Sequence, residues 1–250
     1  MHAALDQVIL GDCLDVLALW PGHFVDLAYI DPPFNTGRTH TATNGAYHDT
    51  FSCTDDYLAF MRPRLIAVRE ILKPNGSILL HCDWRTCHHL RIMLDELFGP
   101  DNFVNHLIWR YGLGGSSPRR FARKHDDILF YAKSEEYYFK PPMVPATSNR
   151  MRGRLKKASD VIEIPSINNM AHERTGYPTQ KPIALLKLLI EACCPPNGLV
   201  LDPMCGSGTT LLATSLTSRH YLGIDANPAA IQICDRRLNR TPVRGCTLPV

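Results

Sequence analysis

Short apolar segments, each with the length of a buried strand, alternate along this chain with longer segments of helical periodicity. The segments predicted as strands are 7–10, 25–30, 77–81, 105–110, 128–132, 199–201 and 221–224. The segments predicted as helices are 13–19, 55–72, 86–98, 182–192, 209–216 and 228–238. Strands that alternate with helices indicate a mostly parallel sheet with helices on both faces. We therefore predict an α/β fold built on a doubly wound sheet.

The composition is that of an ordinary globular protein. The chain has 250 residues, 45% of them hydrophobic and 20% charged, which is enough for one large or two small domains. We find no signal-peptide pattern and no apolar run of transmembrane length, so we expect a cytoplasmic protein without a membrane partner. The nine cysteines are scattered and form no C-x-x-C pair, so we expect free thiols and no bound metal.

The apolar segment 25–30 ends abruptly at Asp31-Pro32-Pro33-Phe34. Proline cannot donate to a sheet and restricts the residue before it, so Asp31 should begin a rigid turn at the carboxyl end of a strand. Open α/β sheets bind their ligands at that edge. The Asp31 carboxylate and the Pro32 carbonyl can each accept one N–H of an amino group, while Phe34 stacks on the ring that carries it. An ordinary proline-rich turn explains this motif equally well when the motif is taken alone.

A second strand ends in the same way, at Asp202, and a glycine turn follows it. Gly206 and Gly208 allow the backbone to approach a ligand closely. The next strand ends at Asp225, the position at which nucleotide-binding folds hold ribose hydroxyls. Leu211 stands where the dinucleotide fingerprint has its third glycine. The pattern therefore favours a single nucleoside over a pyrophosphate cofactor.

Four motifs in this order resemble the amino-group DNA methyltransferases of the circularly permuted β group. They are Asp-Pro-Pro-Phe at 31–34, Thr-Gln-Lys-Pro at 179–182, Asp-Pro-Met-Cys-Gly-Ser-Gly-Thr-Thr at 202–210 and Gly-Ile-Asp at 223–225. The resemblance implies S-adenosylmethionine as the cofactor and a mostly parallel, seven-stranded Rossmann-like sheet. It also implies methyl transfer to the exocyclic nitrogen of adenine (N6) or cytosine (N4) in a base flipped out of DNA.

The resemblance assigns roles to individual residues. The target base would contact the catalytic motif, Asp31, Pro32, Pro33 and Phe34. The cofactor would contact Asp12, Asp31, Thr179, Lys181, Pro182, Asp202, Pro203, Cys205, Gly206, Ser207, Gly208, Thr209 and Asp225. For Asp12, an ordinary helix N-cap is the alternative role.

The implied chemistry follows from the amine. An exocyclic amino nitrogen shares its lone pair with the ring, so it is a poor nucleophile until acceptors such as Asp31 and the Pro32 carbonyl stabilise the charge that grows on it. Methylation of cytosine C5 would need a cysteine nucleophile, typically in a Pro-Cys pair, and the chain has no such pair. In the family that the chain resembles, an aspartate at the start of the catalytic motif favours adenine, so the resemblance implies adenine as the target. Cytosine N4 is the nearest alternative, and a catalytically silent DNA-binding module or a nicotinamide oxidoreductase is more remote.

Two basic clusters are candidates for contacts with DNA phosphates, although such clusters are also common on solvated faces. They are Arg119, Arg120, Arg123 and Lys124, and Arg150, Arg152, Arg154, Lys156 and Lys157. The aperiodic segment 139–177 is the predicted target-recognition segment, a small irregular insertion. It separates a catalytic half (1–138) from a cofactor-binding half (178–240), with a tail at 241–250. Double-stranded DNA is the expected partner, and the resemblance adds a homodimer and a cognate restriction endonuclease.

Four further features are interpreted without a catalytic role. The polar segment 38–52 is predicted as a mobile loop, and 73–76 as a stop and turn between a helix and a strand. His81 to Asp83 end one predicted strand, and His125 to Asp127 precede another. Contact with the site is conceivable for both groups, but a cap or a structural pair is the simpler interpretation.

Overall fold

An eight-stranded sheet with helices on both faces organises the chain in the computed structural model, which describes residues 4–42, 45–112, 116–146, 150, 152–168 and 170–239. The strands are β1 (Gln7–Leu10), β2 (Val25–Ile30), β3 (Arg38–Ala42), β4 (Gly45–Asp49), β5 (Leu72–Cys82), β6 (Phe103–Arg110), β7 (His125–Ala132), β8 (Met143–Pro145), β9 (Leu155–Lys157), β10 (Val161–Glu163), β11 (Leu199–Asp202) and β12 (His220–Asp225). The α-helices are α1 (Cys13–Leu17), α2 (Thr54–Ile71), α3 (Cys87–Phe98), α4 (Ile183–Cys193), α5 (Thr209–Leu216) and α6 (Pro228–Asn239).

The strand order of the main sheet is β1-β12-β11-β2-β5-β7-β6-β10. Only β7 runs antiparallel to its neighbours, so the carboxyl ends of the other strands meet at one edge, where β7 begins. This arrangement confirms the predicted doubly wound, mostly parallel sheet. It also places β11, from the end of the chain, directly beside β2. The Leu199 N–H donates to Asp26 Oδ2 at 2.8 Å across that junction, although the two residues are 173 positions apart.

The expected count of seven strands is wrong by one. The eighth strand is β10, which pairs in parallel with β6 at the sheet's outer edge. It lies in the segment predicted to be aperiodic, which also contains the short antiparallel pair β8 and β9. Strands of three residues are too short for an alternating pattern to be recognised. Ile162 is buried while its two neighbours in β10 are exposed, so the pattern is present but minimal.

Three local predictions are corrected by the structure. Segment 38–52 contains the hairpin of β3 and β4 instead of only a loop. The stretch 73–76 lies inside β5, where the pairing with β2 shifts register, instead of ending an element. The helix α2 begins at Thr54, one residue before the predicted start at 55, with Cys53 as its N-cap residue.

The core lies on both faces of the sheet because successive strand residues point to opposite sides. Ala28 and Ile30 of β2 belong to the cluster that packs under α2 and α3. Leu27 and Tyr29 belong to the cluster that packs against α4. Within the described ranges, every cysteine is a free thiol, and we find no helix with the length and apolarity needed to cross a membrane. The predicted tail and Cys246 lie outside the described residues.

Candidate active site

A cavity of about 910 Å³ opens at the carboxyl edge of the sheet. Its lining includes the predicted residues Asp12, Asp31, Pro32, Pro33, Phe34, Thr179, Lys181, Asp202, Pro203, Cys205, Gly206, Ser207, Thr209 and Asp225. Its volume lies near the upper end of the range of roughly 300–1,000 Å³ that small-molecule pockets span. The cavity therefore has room for two ligands side by side.

The Asp31 turn forms one end of the cavity, and an ion pair fixes it. Lys181 Nζ lies 2.8 and 2.7 Å from the two Asp31 carboxylate oxygens. Both side chains are largely buried, with 9% of Lys181 and 21% of Asp31 exposed. The same ammonium lies 5.0 Å from the centre of the Phe34 ring. Lys181 therefore neutralises Asp31 and sets the orientation of its carboxylate.

The β3–β4 hairpin holds the rest of this turn in place. Asp49, which is buried, accepts the Asn35 N–H at 2.7 Å and the Thr36 hydroxyl at 2.6 Å. Asn35 has a φ of 56°, a conformation that asparagine tolerates better than most residues and that these bonds support. Across the cavity, the Tyr47 hydroxyl lies 3.2 Å from that of Thr179. The hairpin therefore contacts both the Asp31 turn and the segment that carries Thr179.

The glycine turn between β11 and α5 forms the other end. Gly206 has a φ of 50°, and its N–H donates to Asp225 Oδ2 at 2.7 Å. Asp225 Oδ1 accepts the Asn227 N–H at 2.8 Å, so the carboxylate is held by two backbone groups. Arg237 of α6 donates to the Ser207 carbonyl at 2.6 Å and to the Thr209 hydroxyl at 3.0 Å. Arg237 of α6 thus holds the glycine turn in place on one side, and the other side of the turn lines the cavity.

Burial raises the pKa of the two carboxyl groups at this end of the cavity. Burial raises the pKa of Asp202 to about 7, against hydrogen bonds from Thr210 and the Met204 N–H that favour the ionised form. Burial also raises the pKa of Asp225, against its two backbone donors. In the part of the chain that the structure describes, no ion pair reaches either carboxylate. A cationic ligand at this end would therefore be favoured.

A third wall, beside the Asp31 turn, comes from β6 and β7 and contains Trp109, Tyr111 and Asp126. Behind it, the fully buried His81 ring lies 2.7 Å from the Tyr29 hydroxyl and 3.3 Å from Asp126 Oδ2. Burial alone would raise the pKa of Asp126, but the His81 hydrogen bond and charge, followed by Lys181, bring it below its usual value. Asp126 thus lies in the cavity wall, where the sequence favoured a structural role.

The position of Trp109 and Asp126 in the cavity wall follows from the order of the strands in the sheet. The sequence offers a signal at Trp109, since an aromatic residue near a strand end is typical of ring-binding sites, but β6 could have been placed anywhere in the sheet. Its indole N–H donates to the Ile164 carbonyl at 2.8 Å, which fixes the ring at the cavity wall. The register between β6 and β7 then sets Trp109 opposite Asp126.

Three predicted cofactor residues either have a second role in the structure or lie outside the cavity lining. Asp12 lines the cavity but also caps α1, because its Oδ1 accepts the Leu14 N–H at 2.8 Å and its Oδ2 accepts from Arg64 at 2.6 Å. Gly208 and Pro182 do not line the cavity. Gly208 has a φ of 72°, and an added Cβ there would lie 2.7 Å from Cys234 Sγ. Its role in the structure is to let α6 pack under the turn.

The basic clusters lie on the surface. Arg119, Arg120 and Arg123 are exposed on the β6–β7 connection, where Lys124 is partly buried. Arg150, Arg152, Arg154, Lys156 and Lys157 are exposed in the segment that contains β9. The fold brings the first cluster to the edge of the sheet where the cavity opens, since both β6 and β7 meet that edge.

One cluster of metal-ligand type is found among the described residues, where the sequence predicted none. Cys87, His106 and Asp127 have ligand atoms within 4.8 Å of one another. His106 Nε2 lies 2.7 Å from Asp127 Oδ1 and 3.6 Å from Cys87 Sγ. A hydrogen-bonded pair across two strands accounts for this contact, and it lies outside the cavity lining.

Comparison with known proteins identifies the family. The model of a family described as DNA methylase, N6_N4_Mtase, matches residues 25–236. The type II methyltransferase M.EcaI of Enterobacter cloacae is 30% identical over 89% of this chain and 67% of its own length. The type II methyltransferase M.HpaI of Haemophilus parainfluenzae is 28% identical over 94% of this chain and 75% of its own.

Solved structures share the fold. The complex of M1.HpyAVI with S-adenosylmethionine superposes with a TM-score of 0.67 at 23% identity, covering 93% of this chain and 98% of the other. The cytosine-N4-specific PvuII DNA methyltransferase gives 0.71 at 17% identity, covering 94% and 87%. Because the family model spans most of the chain and includes both ends of the cavity, this protein belongs to the N6/N4 family of DNA methylases, the S-adenosylmethionine-dependent enzymes that methylate amino groups of DNA bases.

Proposed function

We propose that this chain is a site-specific methyltransferase that acts on the N6 amino group of adenine in double-stranded DNA. The observation that carries the proposal is that the Asp31 turn, Asp202 and Asp225 line one cavity at the carboxyl ends of neighbouring strands. A carboxylate and a free carbonyl suit an amino group at one end. At the other end, Asp202 and Asp225 have no ion-pair partner among the described residues, and such carboxylates suit a nucleoside that carries a positive charge.

The residues at the second end fit S-adenosylmethionine. Asp225, at the end of β12, can accept bonds from ribose hydroxyls because each carboxylate oxygen uses only one of its acceptor positions on the backbone. Gly206 presents bare backbone to the cavity, and an added Cβ would lie 3.3 Å from the Tyr177 ring. Asp202 supplies negative charge close by. The bound cofactor would supply a methyl group made electrophilic by its sulfonium.

The target base would be held at the Asp31 end. Asp31 and the Pro32 carbonyl would accept the two N–H groups of the amine, which keeps its lone pair directed at the methyl group and stabilises the positive charge formed during transfer. Phe34 would stack on one face of the base. Lys181 would keep the Asp31 carboxylate in a fixed orientation, so that it need not reorganise during the reaction.

A base inside a duplex cannot reach this cavity, so the proposal includes extrusion of the target base. The aromatic wall of Trp109 and Tyr111 supports it, because an extruded base loses its stacking partners and needs new ones. The exposed basic clusters would bind the phosphates on either side. Segment 139–177, which contains the second cluster, would read the sequence around the base.

Mass analysis of DNA digested to nucleosides after incubation with the enzyme and S-adenosylmethionine tests the proposal. We expect N6-methyladenine with the wild type and none with Asp31→Ala. The appearance of N4-methylcytosine instead would change the base while leaving the pocket chemistry intact. Absence of any methylated nucleoside, together with no binding of S-adenosylmethionine in calorimetry, would indicate the silent DNA-binding module.

The basic clusters can be tested as groups. Replacing Arg150, Arg152, Arg154, Lys156 and Lys157 together by Ala should lower DNA affinity and flatten its dependence on salt. Each lost phosphate contact lowers the slope of log K against log salt by roughly 0.9. An unchanged slope would assign these residues to a solvated face. The similarity to type II methyltransferases supports a cognate restriction endonuclease as a further proposal. An extract of the source cell that cuts unmethylated DNA at the site methylated by this enzyme would support it, and an extract without such cleavage would contradict it.

A further inference from the structure

The most exposed large apolar side chain of the described residues is Phe121, at 97% exposure. Exposing a phenyl ring to water does not stabilise the protein, although single exposed apolar residues are normal on protein surfaces. What sets Phe121 apart is its position, because Arg119 and Arg120 precede it and Arg123 follows it. An aromatic ring surrounded by cations is suited to a polyanion whose interior consists of stacked rings.

The loop that carries Phe121 rises at the cavity mouth. It connects the end of β6 to the start of β7, where Arg110 pairs with His125. The Tyr111 N–H donates to the Lys124 carbonyl at 3.1 Å and closes the base of the loop. Tyr111 and Asp126, on either side of this base, both line the cavity. Phe121 therefore belongs to a connection that begins and ends at the wall assigned to the target base.

A contact with the neighbouring strand end fixes one arm of the loop. The Arg123 guanidinium carbon lies 3.2 Å from the centre of the Trp84 ring, which follows β5 at the same edge of the sheet. This contact occupies the face of Trp84, so that ring is already engaged within the protein. Phe121 has no aromatic contact recorded within the described residues and stands clear of the surface.

We propose that Phe121 inserts into the DNA duplex and fills the space that the extruded base leaves. This inference rests on the proposed function and adds a positioning residue to it. Apolar side chains inserted between base steps are a known way of stabilising distorted DNA. The neighbouring base pairs would stack on the phenyl ring, while Arg119 and Arg120 contact the phosphates. Phe121 would act on the extrusion equilibrium and would touch neither the amine nor the cofactor.

Single-turnover methylation of two matched duplexes separates this role from ordinary binding. One duplex carries the site mapped by sequencing methylated plasmid DNA, and the other has an abasic position opposite the target, which makes extrusion cheaper. We expect Phe121→Ala to slow transfer on the paired duplex about tenfold, as for the loss of one stacking contact, and on the abasic duplex by only about twofold. Phe121→Trp should restore the rate, and the affinity for S-adenosylmethionine should stay unchanged in both variants.

Leu19→Ala is the matched control, because Leu19 is 74% exposed but lies between α1 and β2, at the opposite edge of the sheet. It should match the wild type on both duplexes. Equal slowing of Phe121→Ala on both duplexes, or no slowing on either, would overturn the insertion role while wild-type activity still upholds the proposed function. If the wild type methylates no plasmid DNA, so that no site can be mapped, both the proposed function and the insertion role are overturned.

Discussion

The two ends of the cavity hold the same kind of group, a carboxylate at the end of a strand, in opposite electrostatic settings. Asp31 is paired with Lys181 at 2.7 Å, and the pair is neutral as a unit. Among the described residues, Asp202 and Asp225 have only neutral hydrogen-bond donors, and burial raises the pKa of each. The turns that follow the two strands differ as well. Prolines make the Asp31 turn rigid, whereas glycines allow the backbone of the turn after Asp202 to approach a ligand closely.

The difference matches the two ligands of the proposed reaction. A DNA base is neutral, so its end of the cavity needs oriented acceptors without surplus charge. S-adenosylmethionine carries a sulfonium and an ammonium, so its end gains from surplus negative charge. One fold thus adapts the same residue to two tasks by adding or omitting a single lysine partner.

The largest effect is expected from removing the oriented acceptor. Asp31→Ala should reduce the single-turnover rate of methyl transfer at least about 100-fold, as removal of one stabilising group in a catalytic site does. Its dissociation constant for S-adenosylmethionine should stay within a few-fold of the wild type. A near-normal transfer rate would remove Asp31 from the mechanism, whereas lost cofactor binding would mean that the two ends are not independent.

Removing the lysine should make the first end resemble the second. Lys181→Met leaves the Asp31 carboxylate unpaired in a largely buried position, which should lower the free energy of unfolding by about 3 kcal/mol. In the double variant with Asp31→Asn, most of that loss should be recovered, because no charge is left unpaired. Urea denaturation of the four proteins in this cycle measures the coupling, and additive effects would show that the pair contributes orientation but little stability.

At the cofactor end, Asp225→Ala should weaken S-adenosylmethionine binding by about 1.5–3 kcal/mol, as for the loss of charged hydrogen bonds. Asp126→Asn is the matched control, since it alters a carboxylate of the same cavity on the base side. Calorimetry should show normal cofactor affinity in the control. Equal losses in both variants would contradict the division of the cavity into two ends.

The remaining expected effect is a pH dependence at Asp202, spread over several pH units. Its folded pKa of about 7 lies above the unfolded value near 4, so the folded state binds a proton that the unfolded state releases. The free energy of unfolding should therefore fall as the pH rises from about 4 to about 7. A cation prefers the ionised form, so S-adenosylmethionine affinity should fall by up to about tenfold per pH unit below 7.

Asp202→Asn should flatten both pH profiles and bind the cofactor weakly even at pH 8. The ammonium group of S-adenosylmethionine titrates in the same way with the wild type and with the variant, so it does not affect the comparison of their pH profiles. A wild-type profile that matches that of Asp202→Asn would mean that Asp202 stays ionised throughout the range.

The sequence was sufficient where a local pattern determines the structure. An apolar run stopped by prolines or glycines places Asp31 and Asp202 at strand ends without knowledge of the fold. It was insufficient where a residue acts through a distant partner. Lys181 was expected among the cofactor residues, and its contact with Asp31 spans 150 positions. Asp49 could not be assigned because the hairpin that carries it was interpreted as a loop.

The wall at Trp109 and Asp126 was missed for a different reason. Each residue was visible at a strand end, but which strands lie beside β2 depends on the pairing of β7 between β5 and β6. Pairing order is a property of the whole sheet and has no local signal. The role of Asp126 therefore became apparent only from the register that sets it beside His81.

The junction of β2 and β11 has a consequence for how the protein is made. Asp26 and Leu199 are hydrogen-bonded partners separated by 173 positions, so β2, the strand that ends just before Asp31, has one unpaired edge until residues 199–202 have been synthesised. An unpaired apolar strand edge is a template for aggregation. Translation products that stop before β11 keep this edge unpaired, and they also lack Asp202, the glycine turn and Asp225, so they cannot form the cofactor end of the cavity.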